Sequence, residues 1–340
     1  MDNYQVVFPT QNQVELQPCP EVSPAAGEIL LKTIISQISI GTELTYLQGN
    51  VEPGMLWENF LNYPKCPGYS NVSRVVAVGE GVSSELIGKL VFSSLTHRMY
   101  SVVKEGDFEK YRYIPEGVTP KEAVFSTIGR IAMASIRMAQ IRPGDLCVVF
   151  GAGIVGQMVA RLAMVAGAAK VIVSDISDLR LSKLPQQAGF IPVNTTNRSI
   201  AEVIRQENGG RLADIVFETT SVPSLVQSQI ECLEKFGKLV VTSSPKGRSL
   251  VDLDYCNHRC ITIMGVHNVT YHSLAKNPGN IWSQLEDSAL IMELLRQKRI
   301  STEEMTTHEF NYRDAAAAYE MLVKDRTQAL GVNLVWEDAQ

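Results

Sequence analysis

The sequence lacks the features that mark several special classes of protein. Its 340 residues contain no apolar run near the roughly 20 residues that span a bilayer, so no membrane association is expected. Lysines and arginines number 31 against 36 aspartates and glutamates, and the formal charge of −5 gives no general attraction to nucleic acid. The first residues also lack the basic and apolar regions of a signal peptide. We therefore expect a soluble, cytoplasmic protein.

Cysteine is scarce and scattered along the chain. The six cysteines form no C-x-x-C pair, and the nearest two, Cys256 and Cys260, have no second pair beside them. A zinc ribbon or a disulfide framework needs closer and repeated spacing. The sequence therefore predicts buried, reduced thiols.

Length and composition favour a globular protein of two domains, at about 150 residues per domain. Hydrophobic residues make up 45% of the chain and charged residues 20%, near the average for globular proteins. Before Pro120, apolar and β-branched segments such as 27–35 and 72–79 alternate with turns, which is typical of a mostly antiparallel barrel. Thr119 and Pro120 then begin a predicted helix that reaches about Gln140.

From residue 146 onward, strands and helices alternate, which requires a parallel sheet with right-handed crossovers. The predicted strands are 146–150, 170–174, 191–193, 213–218, 237–241 and 260–264. The predicted helices between them are 157–166, 179–188, 200–207 and 224–233. Helices 284–297 and 314–324 and strand 331–335 complete the chain. The predicted fold class is α/β, with a β-rich domain that is split by a doubly wound nucleotide-binding domain.

Residues 151–156 fit the G-x-G-x-x-G pattern of a dinucleotide site. They follow an apolar strand and open a predicted helix, and Asp175 ends the next strand 19 residues after Gly156. Gly151 allows the tight turn, Gly153 lets backbone N–H groups approach a pyrophosphate, and Gly156 lets the helix pack on the sheet. The alternative is a tight strand–helix turn without a ligand, which this context disfavours.

Asp175 predicts a preference for NAD over NADP. Its carboxylate can accept hydrogen bonds from both hydroxyls of the adenosine ribose, and it would repel a 2′-phosphate. Arg180 would weaken this preference if it lay nearby, but we expect its side chain on the solvated face of its helix. The predicted cofactor-binding residues are Gly151, Gly153, Ile154, Val155, Gly156, Asp175, Arg180, Thr219 and Val266.

Several segments occur in an order that a known family shares. Residues 40–44, I-G-T-E-L, are similar to a C-G-S/T-D segment, residues 67–70, P-G-Y-S, to P-G-H-E, and residues 78–82 to a V-G-x-G-V turn. With the glycine fingerprint, they make the chain resemble the medium-chain dehydrogenase/reductase superfamily from about Val6 to Val335. Its I-S-x-G-T-E and P-G-Y segments resemble those of bacteriochlorophyllide dehydrogenase-like proteins, although the tetrapyrrole substrate is not carried over.

The resemblance implies a GroES-like β-barrel catalytic domain and a Rossmann domain, with the active site in the cleft. The catalytic domain would comprise residues 1–123 and 267–340, and the Rossmann domain residues 124–266. Residues 260–265 are similar to the strand that relatives pair across a two-fold axis. We therefore expect a homodimer, or a tetramer if two dimers pair again.

The chain departs from this family at the positions of the catalytic zinc ligands. Ile40 stands at the cysteine position, Tyr69 at the histidine position and Ser70 at the adjoining glutamate position, and Thr127 is the best match to the third ligand. None of these can replace thiolate, imidazole or carboxylate in a zinc site. Residues 93–110 also contain no cysteine for a structural zinc lobe. The resemblance and this inventory together imply a zinc-independent enzyme with no bound metal.

Hydride transfer without zinc needs a hydrogen-bond donor for the substrate oxygen and a path for a proton. Tyr69 is the leading catalytic candidate, because the resemblance puts it at the former metal centre; a half-buried structural tyrosine is the alternative. Thr42 matches the hydroxyl that contacts the substrate in relatives. Thr45 sits where some relatives carry a relay histidine, which makes it a substrate-binding candidate. Either threonine could instead cap a turn.

Two histidines and one arginine complete the predicted site. His267 follows the strand 260–264 and could carry a proton onward, since imidazole titrates near neutrality; a satisfied surface histidine is the alternative. His97, in a polar loop, is a weaker catalytic candidate. Arg130 interrupts an apolar helix and could bind a substrate carboxylate or phosphate, or a cofactor oxygen. Its alternative is a pair with an acid such as Glu43 or Glu122.

The preferred function is NAD-dependent hydride transfer between nicotinamide and a small secondary alcohol or ketone, such as a cyclitol or a sugar. An NAD(P)H-dependent enone or quinone reductase is the second hypothesis, since it also dispenses with metal. Asp175 favours the first hypothesis, because enone reductases of this superfamily usually use NADP. A nucleotide-binding protein without turnover is the third.

Overall fold

The computed structural model describes residues 2–107, 110–273 and 283–337. Contacts between Cα atoms divide the chain into two compact units. Unit 1 comprises Met1–Asn50, Leu56–Thr127 and Gln284–Gln340, and unit 2 comprises Val51–Met55 and Ile128–Ser283. The domain limits expected from the sequence, 1–123 with 267–340 and 124–266, stay a prediction.

Strands and helices of the described residues are numbered in chain order. The strands are β1 (Tyr4–Val7), β2 (Glu15–Pro18), β3 (Glu28–Ile38), β4 (Asn71–Val78), β5 (Leu90–Ser93), β6 (Tyr100–Lys104), β7 (Tyr111–Tyr113), β8 (Leu146–Phe150), β9 (Lys170–Asp175), β10 (Phe190–Asn194), β11 (Ala213–Glu218), β12 (Leu233–Val241), β13 (Thr262–Gly265), β14 (Thr306–Asn311) and β15 (Gly331–Val335). The helices are α1 (Ile40–Gln48), α2 (Pro120–Ala123), α3 (Ser126–Ala139), α4 (Ile154–Val165), α5 (Asp178–Leu181), α6 (Ile200–Glu207), α7 (Val226–Glu231), α8 (Leu253–Arg259), α9 (Asn268–Ser273), α10 (Gln284–Arg296) and α11 (Ala315–Asp325). None of these helices has the length and apolar character that crossing a bilayer requires.

Unit 1 is built on a mostly antiparallel sheet. Its strand order is β14-β15-β3-β4-β5-β7, and β6 also pairs with β3. Strand β3 is the longest, and its buried residues Ile29 and Leu31 pack with Val75, Val91 and Tyr111 of the neighbouring strands. The β-rich first domain expected from the sequence is thus confirmed, and α1, which the sequence reading did not predict, follows β3 directly.

Unit 2 contains a six-stranded parallel sheet in the order β10-β9-β8-β11-β12-β13. All five residues of β8 are buried, as expected for a central parallel strand covered on both faces. In chain order the sheet grows from β8 toward β10 and then from β11 toward β13. The direction therefore reverses between β8 and β11, and the carboxyl ends of these two strands form the place where such sheets bind ligands.

Three predicted helices differ from the observed ones. The helix expected from Pro120 to about Gln140 is two helices, α2 and α3, which are separated by the buried residues Val124 and Phe125. The helix expected over 179–188 ends at Leu181, since Pro185 has no N–H and its ring clashes with the carbonyl four residues earlier. The helix expected over 224–233 is shorter, because β12 already begins at Leu233.

The cysteines are only partly as predicted. Cys147, Cys232 and Cys256 are buried, whereas Cys66 and Cys260 are exposed, and no disulfide joins any of them. Burial raises the pKa of the Cys147 thiol, and it raises the pKa of Cys232 to about 11. These buried thiols are therefore protonated at neutral pH. Exposed Cys260 ends α8 in a left-handed conformation, with φ at +53°.

Candidate functional site

Two positions in and beside the turn between β8 and α4 have room only for glycine. Gly151 has φ at +101°, and a Cβ there would lie 2.9 Å from Thr219 Oγ1. A Cβ at Gly156 would lie 1.9 Å from the carbonyl oxygen of Gly151. The helix therefore starts directly against the turn, which is the geometry that the fingerprint predicts.

The start of α4 is open toward a ligand. Gly153 is the N-cap residue, it makes no side-chain cap, and no acidic residue lies in the first turn. A Cβ added at Gly153 would meet no atom within 4 Å. Unsatisfied N–H groups and the positive end of the helix dipole favour an anion such as a pyrophosphate at such a position. Ile154 is buried behind the turn, and Val155 is half-buried.

Asp175 at the end of β9 is held by the backbone. Its Oδ2 accepts a hydrogen bond from the N–H of Ala152 at 2.7 Å, and its Oδ1 accepts one from the N–H of Ser177 at 2.9 Å. A carboxylate has about four acceptor positions, so each oxygen keeps a lone pair for another donor. The geometry fits the two hydroxyls of a ribose.

Arg180 is not on a solvated face, so that prediction is wrong. Its side chain is 14% exposed, and its Nη1 lies 3.9 Å from Asp175 Oδ2. The short helix α5 is responsible, because it keeps Arg180 close to the end of β9. Gln157 of α4 also donates a hydrogen bond from Nε2 to the carbonyl of Arg180 at 2.8 Å. The carboxylate and the guanidinium therefore form one charged pair beside the glycine turn.

The carboxyl ends of the neighbouring strands carry the other predicted cofactor-binding residues. Thr219 follows β11, and its Oγ1 donates a hydrogen bond to the carbonyl of Phe150 at 2.7 Å. This bond joins β11 to the end of β8, across the point where the strand order reverses. Val266 follows β13, is buried, and donates from its N–H to the carbonyl of Val241 at 3.0 Å.

Sequence reasoning missed the buried carboxylate of Glu218, the last residue of β11. It is 2% exposed and accepts hydrogen bonds from the N–H groups of Thr220 at 2.6 Å and Ser221 at 3.0 Å. The hydroxyl of Ser243, which follows β12, bonds to its Oε2. Glu218 thus ties together the loops after two adjacent strands. The run of hydroxyl residues directly after it was the signal for this role.

In unit 1, Tyr69 and Thr42 lie together, and Ser39 joins them. The hydroxyl of half-buried Tyr69 is 3.3 Å from Thr42 Oγ1 and is also hydrogen-bonded to Ser39 Oγ. Burial raises the pKa of Tyr69 to about 12, although both hydroxyl contacts act in the opposite direction. The phenol is therefore protonated, and able to donate, well into the alkaline range.

Thr45 has a structural hydrogen bond. It is 1% exposed, and its Oγ1 donates to the carbonyl of Gly41 one turn earlier in α1, at 2.7 Å. Of the two threonines that the sequence singled out on this helix, Thr42 contacts Tyr69, whereas Thr45 bonds to a backbone carbonyl of its own helix.

His97 lies in the loop between β5 and β6, as expected, but its side chain belongs to a buried network. It has no exposed surface, and its Nε2 is 3.1 Å from Oε2 of the equally buried Glu43. Glu43 also accepts hydrogen bonds from the N–H of Ser39 at 2.8 Å and from the hydroxyl of Tyr319. The same carboxylate therefore holds a histidine, a tyrosine and the residue that precedes α1.

The second ring nitrogen of His97 is also hydrogen-bonded. Its Nδ1 is 2.8 Å from Ser36 Oγ, which accepts a hydrogen bond from Trp336 Nε1 at 2.8 Å. Gly68 makes room for the imidazole, because a Cβ there would lie 2.9 Å from its Cδ2 and Cγ. Sequence reasoning missed Ser36, Tyr319 and Trp336, since no local pattern connects them with His97.

His267 and Arg130 belong to unit 2. His267 is exposed, and its Nδ1 is 3.2 Å from Thr270 Oγ1. Arg130 lies on α3 and is 4% exposed. Of the two acids considered as its partners, Glu43 is held in the network of unit 1, and Glu122 forms an ion pair with Lys298 at 2.7 Å.

Comparison with known proteins agrees with this architecture. Residues 155–277 match the profile of a family described as zinc-binding dehydrogenase. L-galactonate-5-dehydrogenase of Escherichia coli (strain K12) is 23% identical over 337 residues, which are 91% of this chain and 92% of that protein. Sorbitol dehydrogenase 2 of Saccharomyces cerevisiae is 23% identical over 345 residues, 90% of each chain. A relative from Agrobacterium fabrum reaches 31% identity, over 41% of this chain and 40% of its own length.

A solved structure extends the likeness to the whole fold. The short chain alcohol dehydrogenase of E. coli CFT073, complexed with NADH, superposes with a TM-score of 0.79 at 19% identity and covers 98% of this chain and 99% of that one. The family match and the homologues named as dehydrogenases support an enzyme. The solved structure holds the nicotinamide cofactor NADH. The glycine turn and the open start of α4 fit such a cofactor.

The residues at the expected metal position do not fit zinc. Ile40, Tyr69, Ser70 and Thr127 offer one phenol, two aliphatic hydroxyls and a hydrocarbon, whereas zinc is held by thiolate, imidazole or carboxylate. Glu43 and His97 could be ligands by type, but each is bonded to the other. Across residues 2–107, 110–273 and 283–337, no group of three or more histidines, cysteines or acids could hold a metal ion.

Proposed function

We propose that the protein is a zinc-independent oxidoreductase that prefers NAD and transfers a hydride between nicotinamide and a secondary alcohol or ketone. The observation that carries this proposal is the glycine turn at the reversal point of the parallel sheet, with Asp175 fixed at the end of the neighbouring strand. The names of the relatives, which refer to sorbitol and L-galactonate, support a polyol or sugar substrate.

Unit 2 would hold the cofactor. The turn 151–156 would bind the pyrophosphate, Asp175 the adenosine ribose, and Thr219 and Val266 would line the positions beyond the reversal point. Ile154 and Val155 support the turn, and Arg180 would face the ribose beside Asp175. When bound, the nicotinamide accepts or donates the hydride.

Unit 1 would supply the groups that bind the reacting oxygen. Tyr69 would donate a hydrogen bond to the carbonyl or alkoxide oxygen, because its phenol stays protonated up to alkaline pH. Thr42, 3.3 Å away, would contact the same oxygen or the phenol. His267 would exchange the proton with solvent, for which its exposure is suitable. His97, Thr45 and Arg130 are buried, so we assign them supporting roles.

The experiment that tests this function uses NAD⁺ and NADP⁺ with sorbitol, L-galactonate and 2,3-butanediol. We expect at least one of these alcohols to reduce NAD⁺, with NADP⁺ less effective. Tyr69→Phe should lower kcat by about 10²-fold, since losing one donor to a developing oxyanion typically costs this much, while the affinity for NAD⁺ stays the same. Binding of NAD⁺ without turnover of any alcohol would instead indicate a nucleotide-binding protein without catalysis.

Zinc independence has its own test. Purified protein should contain much less than one zinc per chain, and a chelator should leave the turnover unchanged, because the donor set offers no thiolate or imidazole at the expected position. One tightly bound zinc per chain would contradict the proposal.

A second candidate function is an NADPH-dependent enone or quinone reductase. The specific observation in its favour is Arg180, whose guanidinium beside Asp175 could pair with a 2′-phosphate. Tighter binding of NADP than of NAD, together with reduction of an enone and no oxidation of alcohols, would favour it. The subgroup likeness to bacteriochlorophyllide dehydrogenase-like proteins stays a prediction.

Assembly and location remain proposals as well. Strand β13 is at one end of the strand order of its sheet, and Ile263 on it is 42% exposed. An apolar edge strand favours pairing with another chain, which supports a homodimer or a tetramer. Light scattering at micromolar concentration tests this, and a monomer would contradict it. The cytoplasmic location stays a prediction from the sequence.

A further inference from the structure

Ser39 precedes α1 but does not cap it. A serine at an N-cap position usually accepts a hydrogen bond from a backbone N–H in the first turn of its helix. Ser39 makes no such bond, and its Oγ is bonded to the hydroxyl of Tyr69 instead. The side chain of Ser39 therefore does not cap the helix but bonds to a residue 30 positions away.

A buried anchor holds Ser39 in this position. Oε1 of Glu43 accepts the N–H of Ser39 at 2.8 Å, and Glu43 itself is fixed by His97 and Tyr319. All three of these side chains are fully buried. The backbone of Ser39 is thus attached to a fully buried polar cluster of unit 1, which fixes the position from which its hydroxyl extends.

The single hydroxyl hydrogen of Tyr69 determines which residue donates in the Ser39–Tyr69 hydrogen bond. Tyr69 has one hydroxyl hydrogen, and donating it to a substrate oxygen leaves the phenol oxygen as an acceptor. In the described part of the chain, Tyr69 is the hydrogen-bond partner of Ser39 Oγ. When Tyr69 donates to substrate, the Ser39 hydrogen must therefore point at the phenol oxygen, and Thr42 can add a second, longer bond.

We propose that Ser39 is a positioning residue, which donates to the phenol oxygen of Tyr69 and so turns the Tyr69 hydrogen toward the substrate oxygen. This inference rests on the proposed function, in which Tyr69 is the donor. Glu43 contributes by holding the backbone of Ser39.

An ordinary capping serine in unit 2 gives a matched control. Ser199 precedes α6, and its Oγ accepts the N–H of Glu202 at 3.4 Å. Ser199→Ala should lower the stability of the protein without affecting the reaction. Ser39→Ala removes no such cap, so it should affect the reaction more than the stability.

The first experiment needs no turnover. 3,5-Difluorotyrosine placed at position 69 ionises nearer to neutral pH than tyrosine, so its phenol can be titrated by absorbance while the protein is folded. Ser39→Ala should raise the pKa of this phenol, because the phenolate loses a hydrogen-bond donor. Ser199→Ala should leave it unchanged, and Ser39→Thr, which keeps the hydroxyl, should restore it. An unchanged titration in Ser39→Ala would overturn the proposal.

The second experiment measures oxidation of sorbitol by NAD⁺. Ser39→Ala should lower kcat by about 10-fold, which corresponds to the loss of one hydrogen bond, and should leave the KM for NAD⁺ unchanged. In a Tyr69→Phe background the same substitution should have no further effect, because the group that it positions is gone.

The outcomes separate the two proposals. If Tyr69→Phe keeps full turnover, Tyr69 is not the donor, and the proposed function of this cluster fails together with the role of Ser39. If Tyr69→Phe loses turnover and Ser39→Ala keeps it, the function stands and only the role of Ser39 is overturned. If sorbitol is not oxidised at all, the titration at position 69 still decides whether Ser39 donates to the phenol.

Discussion

Each unit contains one buried carboxylate that organises its candidate site, and the two carboxylates obtain their partners in different ways. Glu43 in unit 1 bonds to His97 and Tyr319, which are 54 and 276 positions away in the sequence. Glu218 in unit 2 bonds to Thr220 and Ser221, two and three positions away, and to Ser243. The first network exists only in the complete fold, whereas most of the second is a local turn at the end of a strand.

The partners also differ in their access to water. His97 and Tyr319 are fully buried, so water cannot replace a lost acceptor without opening the core. Thr220, Ser221 and Ser243 are half-buried and follow the carboxyl ends of β11 and β12, where water can take over part of their hydrogen bonding. The same substitution should therefore lower the free energy of unfolding more in unit 1 than in unit 2.

The largest effect is expected for Glu43→Ala. It leaves a buried imidazole, a buried phenol and a backbone N–H without their acceptor, and the free energy of unfolding of unit 1 should fall by about 3–5 kcal/mol. Urea unfolding followed by tryptophan fluorescence, to which Trp336 of the same network contributes, measures this. Glu43→Gln keeps one acceptor oxygen and serves as control. The loss of unfolding free energy should be smaller for Glu43→Gln than for Glu43→Ala. An equal loss would show that only the charge of Glu43 matters for stability.

Glu218→Ala should cost about 2–3 kcal/mol, because its donors can partly turn to water. The binding of NAD should weaken as well, since the loops after β11 and β12 are no longer tied together. Denaturant unfolding and NADH fluorescence titration test the two parts. A loss of unfolding free energy as large as that of Glu43→Ala would contradict the distinction between a local and a long-range network.

Tyr319→Phe tests a single long-range donor. The ring keeps its edge-on contact with Phe8, at 5.1 Å between centroids, so the change removes the hydroxyl and little packing. We expect a loss of about 1.5 kcal/mol, typical of one hydrogen bond to a charged acceptor. Burial and Glu43 both raise the pKa of Tyr319, so this loss should be the same at pH 6 and pH 9. A loss that grew between these values would contradict a protonated phenol.

Thr220→Val is the matching change in the local network and should have the smallest effect. It removes the hydroxyl that bonds to Glu218 Oε1 at 2.5 Å but keeps the backbone N–H on the same oxygen. A loss of about 0.5 kcal/mol is expected, because the N–H and solvent continue to satisfy the carboxylate. If Thr220→Val cost more than Tyr319→Phe, the ranking of the two networks would be reversed.

The same contrast explains what could be predicted from the sequence. Gly151, Gly156 and Asp175 were predictable because the dinucleotide turn is encoded within one strand–helix–strand unit. Pro185 also carried a local signal, which should have ended the predicted helix at Leu181. The positions of strands β8, β11 and β15 were predicted without error, since short apolar runs between turn residues are typical of buried strands.

The buried network of unit 1 was not predictable in this way. Ser36 and Trp336 are 300 positions apart, and no spacing rule connects them. His97 lies in a loop whose sequence is polar, which gave no sign of burial, yet a space beside Gly68 buries it completely. Ser39 was overlooked because the helix that follows it was not predicted, and its contact with Tyr69, 30 positions away, has no signature in the sequence.

The carboxylate of Glu43 gives the buried network a direction. A carboxylate can only accept, so the hydrogen of the neutral His97 ring sits on Nε2, directed at Glu43. Nδ1 is then an acceptor, and its partner Ser36 must donate its hydroxyl hydrogen to it. The lone pairs of the Ser36 oxygen stay available for the indole N–H of Trp336, which can only donate. One buried carboxylate thereby sets the tautomer of a histidine 54 positions away and, through it, the orientation of a serine hydroxyl.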